Sequence, residues 1–428
     1  MPGRRHFLQR AGQAALGLPL AACARPTAGA PPTVQRALPA PEAPDFWAAV
    51  RALYPMTPER TYLNTGGLGP ASYPVLDAVA RTTLAHQTVV EHGHGQINEV
   101  RPVVAAFLGA RPEEVAFMRN ATEGNSTIAS GLDLRRGDEV IFESHAHPGG
   151  AFAWLARQKR DGIRVKVFEP DPTSAAGNLE RIEALLTPRT RVVQVSHITA
   201  PTGIVMPVDE IAALARDRGL WFHIDGAQSA GHIPVDLHAI GCDSYATSGH
   251  KWLGGPHGTG LLYVRENQLD DVAPTEVGAY STLDAETHLP DRISYNPTAQ
   301  RYEPGTRDAA SILGLAAAVA LLDEVGMERV AARARHLGTY LHERLVEIPG
   351  VTVLTPNDPA LRAGMTTLTT DLVPYRELFD YYLSAHALRC RPVSEQGLDA
   401  VRVSTHLFNS EAECDRVVEA TRAALDEA

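Results

Sequence analysis

From about residue 45 the chain alternates short β-rich runs with longer amphipathic stretches. Val115–Met118, Glu139–Phe142, Val165–Phe168, Val192–Val195 and Trp221–Ile224 are the β-rich runs. Between them, residues 147–160, 178–187 and 207–218 carry helical patterns. Strands alternating with helices predict a parallel sheet covered on both faces. Ser244–Thr247 and Gly260–Val264 add two more strands, the second expected to run antiparallel. After Thr306 the texture changes. Two Ala/Leu-rich helical patterns, 307–324 and 327–346, precede strands near 366–371, 387–392 and 400–404, and an amphipathic helix at 410–426 closes the chain. The pattern predicts an α/β protein. A large domain over 45–305 would hold a mostly parallel seven-stranded sheet, with a smaller α+β domain over 306–428.

The first residues read as an address. Arg4-Arg5 followed by Phe7-Leu8, then a short apolar stretch, resembles a twin-arginine export signal over 1–23. Leu20-Ala21-Ala22-Cys23 resembles a lipobox, which would make Cys23 the site of a lipid anchor and place the protein in the periplasm or on the outer side of the cytoplasmic membrane. Residues 24–44 contain six prolines and are expected to run extended as a linker.

Composition adds exclusions. The 428 residues are 44% hydrophobic and 21% charged, ordinary for a globular protein. Lys plus Arg is 39 against 50 Asp plus Glu, a net charge of −11, which argues against a nucleic-acid partner. Four cysteines, Cys23, Cys242, Cys390 and Cys414, form no metal-ligand spacing. No metal site is expected.

The chemistry concentrates in residues 221–264. Asp225 ends an apolar strand, where open α/β sheets place ligand groups. Lys251 follows 26 residues later among small and aromatic residues, in Ser248-Gly-His250-Lys251-Trp-Leu-Gly-Gly. A partly desolvated amine has a lowered pKa and attacks carbonyls. A carboxylate and such a lysine suit a pyridoxal 5'-phosphate site: the lysine forms an imine, and the carboxylate keeps the pyridine nitrogen protonated.

Asp225-Gly-Ala-Gln228 with Ser248-Gly-His250-Lys251-Trp resembles the class V aminotransferase family, which has the type I fold of pyridoxal-phosphate enzymes and works as homodimers. The resemblance covers about 58–425. It implies that Lys251 carries the cofactor as an aldimine and moves protons at the substrate α-carbon. It further implies that Asp225 pairs with the ring nitrogen, Gln228 reaches the ring hydroxyl, and Ser248 and His250 hold the phosphate. Arg119-Asn-Ala121-Thr122-Glu123 matches the family's phosphate turn at a helix start, making Ala121, Thr122 and Glu123 cofactor contacts. Read alone, Thr122 is a helix N-cap. His147 is taken as the ring-stacking residue, with His145 as the alternative. Thr306, in Glu303-Pro-Gly-Thr306, would cross to the partner's phosphate. Arg402 matches the arginine that clamps the substrate α-carboxylate.

The family's reactions diverge after the α-carbon is activated. Cys390 lies in an alternating run rather than a loop, which weighs against persulfide chemistry, and Ala200 stands where desulfurases carry Asn. The loop from Arg391 to Gly397 is most similar to the isopenicillin-N epimerase branch. Epimerase-like or C–S/β-lyase-like action on an amino acid or related amine is therefore expected. An aminotransferase and an inactive exported binding protein are the alternatives.

Overall fold

The computed structural model describes residues 38–283 and 293–428. The expected export signal, the lipobox at Cys23 and most of the linker lie outside the described residues. The end of the linker departs from expectation. Residues 41–45 turn rather than extend, with the Ala43 N–H donating to the Ala40 carbonyl at 2.9 Å. Pro41 and Pro44 pre-set the backbone for turns, and the helix Phe46–Arg51 follows directly.

Among the described residues, seven strands build the main sheet: β1 (Val115–Met118), β2 (Glu139–Glu143), β3 (Arg164–Phe168), β4 (Thr190–Ser196), β5 (Trp221–Asp225), β6 (Ser244–Ser248) and β7 (Gly260–Val264). Their order is β1-β7-β6-β5-β4-β2-β3. β7 pairs antiparallel with both β1 and β6, while the remaining neighbours are parallel. The expected mostly parallel sheet and the reversed strand at 260–264 are both present.

Helices Ala121–Gly131 and Pro148–Asp161 pack together against this sheet. Trp154, on the second helix, is completely buried, and its indole N–H donates to Gln194 Oε1 of β4 at 2.7 Å. The ring contributes roughly 2–3 kcal/mol by burial, and its polar edge needs this partner. With Gln194 Nε2 donating to the Gly150 carbonyl at 3.2 Å, this bond sets how the helix lies over the strand.

Past residue 306, the helix Ala309–Val325 is apolar on nearly every side and packs against Tyr73–Val89 and His94–Phe107. It bends by 80° into Met327–Val346. Among the described residues, no single helix is long and apolar enough to cross a membrane. A second, antiparallel sheet follows, with strands β8 (Val351–Val353), β9 (Met365–Thr370), β10 (Arg391–Val393) and β11 (Ala400–Ser404) in the order β10-β11-β9-β8. Its core holds Leu337, Leu341, Leu345, Tyr382 and Cys414. An early segment joins the later one here: Thr61–Tyr62 pairs in parallel with Leu388–Arg389, and the Ser404 N–H donates to the Leu63 carbonyl at 2.8 Å. These bonds carry the turn at Gly66 and Gly67 to the carboxyl ends of the main strands.

Candidate active site

A cavity of about 250 Å³ opens at the carboxyl ends of β5 and β6. Its lining brings together Ala121, Thr122, His147, Asp225, Gln228, Ser248, His250, Lys251 and Arg402, residues separated by up to 281 positions in the chain. Arg391, Ala200, Asn125, Gly66 and Gly67 complete much of the wall.

The helix Ala121–Gly131 ends here with its amino terminus. Asn120, rather than Thr122, is its cap: Asn120 Oδ1 accepts from the Glu123 N–H at 2.9 Å. The Ala121 N–H donates to Ser248 Oγ at 3.1 Å, which ties the helix start to the end of β6. A helix amino terminus beside Ser248 and His250 favours a phosphate. Buried His250 Nδ1 has no hydrogen-bond partner among the described residues.

Asp225 is 5% exposed. Its Oδ2 accepts from Asn125 Nδ2 at 2.8 Å, and its Oδ1 from the Ala227 N–H at 3.0 Å. Lys251 lies on the turn after β6. Lost hydration pushes its amine down to about 8; Asp225 opposes this, and Arg402 and Arg391 add to it. The expected desolvated amine is thus in place.

Gln228 has both amide ends engaged: Nε2 donates to the Gly66 carbonyl at 2.9 Å, and Oε1 accepts from the Trp252 indole at 2.8 Å. His147 caps the helix Pro148–Asp161, its Nδ1 accepting from the Gly149 N–H at 3.0 Å. That bond leaves the ring proton of the neutral imidazole on Nε2. Burial and nearby Lys251 lower the His147 pKa. His145 lies outside the cavity lining, with Nδ1 on Thr202 Oγ1 at 2.9 Å and Nε2 3.2 Å from Glu169.

Arg402 is 1% exposed. Nη1 donates to the Ala200 carbonyl at 2.6 Å and Nη2 to Asn64 Oδ1 at 3.3 Å, and Nε has no partner among the described residues. Burial brings its pKa down to about 9, and neighbouring Arg391 adds to the shift. A buried guanidinium with an open N–H is a site for a carboxylate. The loop joining β10 and β11 holds Gln396 at φ 55° and Asp399 at φ 43°, a left-handed conformation costly for residues with a side chain.

Glu123, an expected cofactor contact, lies outside this cavity. The Glu123 carboxylate pairs with the Arg119 backbone N–H and guanidinium instead. Thr306 is exposed, on the turn before the helix Ala309–Val325. Asn125, His223 and Glu143 were not singled out from the sequence, although Trp221-x-His223-x-Asp225 has the alternation that puts three polar edges on one strand face.

The donor set fits pyridoxal phosphate: an anion-favouring helix start with an unpartnered His250 nitrogen, a carboxylate 5% exposed, and a lysine of lowered pKa. Gly150 leaves room here, since a Cβ built on it would stand 2.8 Å from Asp225 Oδ2.

The model of the family described as aminotransferase class-V matches residues 77–417. Isopenicillin N epimerase of Amycolatopsis lactamdurans is 32% identical over 394 residues, covering 88% of this chain and 98% of its own. The apo cysteine desulfurase of Thermococcus onnurineus NA1 superposes with a TM-score of 0.80 at 25% identity, covering 89% of this chain and 98% of that one. C-DES, solved as a lysine variant with glycine covalently linked to its PLP cofactor, gives a TM-score of 0.79 at 27% identity over 86% of this chain and 98% of its own. With this site, this fold and these relatives, the chain belongs to the class V aminotransferase family.

Proposed function

We propose that the protein is a pyridoxal-phosphate enzyme that removes and returns the α-proton of an amino acid, in the manner of an epimerase. The observation that carries the reading is the shared cavity of Lys251, Asp225 and Arg402. The cofactor supplies an electron sink for the negative charge left at the α-carbon. Arg402 Nε and its unused N–H bonds hold the substrate carboxylate, which orients the α-carbon toward Lys251. The lowered pKa of Lys251 leaves a sizeable neutral fraction near pH 8, able to accept a proton. Asp225 holds a proton on the cofactor nitrogen.

Cys390 weighs against desulfurase chemistry. It is fully buried in the second core, and burial pushes its thiol up to about 12. A persulfide-forming cysteine needs thiolate character and access. β-Elimination shares the first proton transfer, and the likeness to C-DES keeps it as the second reading.

Incubation with a panel of amino acids in D₂O tests the proposal. The expected result is α-deuterium incorporation with racemisation and recovered substrate, lost in Lys251→Ala. Keto acid with ammonia would establish elimination instead. Accumulation of the amine form of the cofactor would establish an aminotransferase.

We further propose that the protein is exported and works as a homodimer. The Arg4-Arg5 segment supports the first. The second is supported by exposed Leu84, Val89 and Val90 at 70%, 63% and 85%, together with Tyr280 and Leu283. Light scattering of the purified protein checks the dimer, and fractionation of cells checks export.

A further inference from the structure

β5 carries Trp221, His223 and Asp225 at alternate positions, so their side chains stand on one face of the sheet. Ser244 of β6 lies beside His223 in register, and Asn125 reaches the same face from the helix Ala121–Gly131. A continuous line of hydrogen bonds joins the five. Trp221 Nε1 donates to Ser244 Oγ at 2.9 Å. Ser244 Oγ lies 2.8 Å from His223 Nδ1. His223 Nε2 lies 2.8 Å from Asn125 Oδ1, and Asn125 Nδ2 donates to Asp225 Oδ2 at 2.8 Å. His223 and Ser244 are 0% exposed and Asn125 is 1% exposed, so water does not substitute for these partners.

The two ends dictate every proton between them. An indole N–H only donates, and a carboxylate only accepts. Asn125 must therefore turn its amide nitrogen to Asp225 and its oxygen to His223. That oxygen requires a hydrogen on His223 Nε2. Burial lowers the His223 pKa to about 4, so the ring is neutral near pH 7 and Nδ1 is a bare acceptor. The Ser244 hydroxyl then donates to Nδ1 and accepts from Trp221. All the donors point toward Asp225.

We propose that Ser244, His223 and Asn125 form a one-way hydrogen-bond relay in which His223 is a positioning residue, holding the Asn125 amide so that Asp225 is presented as a hydrogen-bond acceptor to the cofactor's ring nitrogen. The last clause rests on the functional reading above; the relay itself does not. With His223 replaced by an apolar residue, the Asn125 oxygen loses its partner, and the amide is held only through Nδ2, by Asp225 at 2.8 Å and the Gly149 carbonyl at 3.4 Å. The buried oxygen is then left unsatisfied, and the amide shifts out of line with Asp225. The protonated ring nitrogen loses part of its stabilisation, and proton removal from the substrate slows while substrate binding, which depends on Arg402, does not.

The experiment separates the two layers. Long-range ¹H–¹⁵N spectra of histidine-labelled apoprotein report the His223 tautomer with no cofactor present. The relay predicts a proton on Nε2, retained in Ser244→Ala because the Asn125 oxygen still requires it, and a mixture of tautomers in Asn125→Ala. A proton on Nδ1 in the wild type overturns it. In the holoenzyme, with ¹⁵N-labelled pyridoxal phosphate, His223→Leu is expected to move the ring nitrogen toward its unprotonated shift and lower kcat about tenfold with KM within twofold, the loss of roughly one hydrogen bond. His223→Gln, which can donate a side-chain N–H to Asn125, is expected to restore the shift. A ring-nitrogen shift in His223→Leu equal to wild type overturns the positioning role. Apoprotein with the expected tautomer that takes up no cofactor refutes the functional reading and leaves the relay standing. Should His223→Leu fail to fold, Asn125→Ala in the labelled holoenzyme must show the same displacement, and an unchanged shift there counts against the positioning role.

Discussion

Gly66 is the spacer that lets Arg402 lie against the amino-terminal segment. A Cβ on Gly66 would stand 2.8 Å from Arg402 Nη2 and 2.9 Å from Gln228 Oε1. Neither neighbour can retreat cheaply, because Arg402 is held by Ala200 and Asn64, and Gln228 by Trp252. Gly66→Ala is therefore expected to displace the guanidinium. Charge-assisted hydrogen bonds contribute about 1.5–3 kcal/mol, so KM for the amino acid should rise roughly 10- to 100-fold. Cofactor content should change little. Equal KM in the variant and wild type would show that Arg402 does not hold the carboxylate.

The rate at which apoprotein captures pyridoxal phosphate should follow the neutral form of Lys251. It should rise nearly tenfold per pH unit below about 8 and level off above it. Arg402 contributes to the depression, so Arg402→Met should move the inflection to higher pH. The same shift affects stability. The folded value lies below the ordinary 10.5, so between about 8 and 10.5 the unfolded chain binds the extra proton, and apoprotein stability should rise with pH in that window. Rapid-mixing absorbance checks the first expectation and urea melts check the second.

Glu143 shows the opposite sign. It is fully buried, with Oε1 accepting from the Ser196 N–H at 3.0 Å and Oε2 without a partner among the described residues. Burial raises its carboxyl to about 7, against the hydrogen bonds from Ser196 and with a small contribution from Asp225. The folded state keeps a proton that the unfolded chain releases above about 4.5, so this group's contribution to stability falls between about pH 4.5 and 7. Relative to Glu143→Gln, the wild type should lose on the order of 3 kcal/mol between pH 4 and pH 8. Parallel stability curves for the two proteins would contradict the buried, protonated carboxyl.

Cys390→Ala distinguishes packing from catalysis. Removing a buried sulfur is expected to cost about 1–2 kcal/mol of stability. Turnover per folded molecule should stay within twofold. A protein that stored sulfur on this side chain would instead lose all sulfur transfer from cysteine, measured with a thiol acceptor.

Much of the site was legible because its residues sit at places that local rules single out. Asp225 ends an apolar strand, Lys251 follows a strand on a Gly-rich turn, and Ala121 and Thr122 open a helix. Residues whose importance depends on a partner were not. Glu143 reads as an ordinary strand terminus until β4 brings Ser196 against it. Thr122 was a reasonable cap by type, but the extended backbone at Asn120 puts that carboxamide closer to the free amides. Glu123 matches the phosphate turn in type, yet Arg119 four residues earlier captures its carboxylate.

The chain's own pattern determined the order of strands and helices, the reversed strand at Gly260–Val264 and the lysine–carboxylate pair, since periodicity and turn chemistry act over a few residues. Folding decided which polar atoms face one another. Arg402 meets Gly66 across 336 positions, and Asn125 meets Asp225 across 100. Proton positions and acid strengths in the cavity follow from those meetings, because both depend on burial and on the groups that packing places within hydrogen-bond reach.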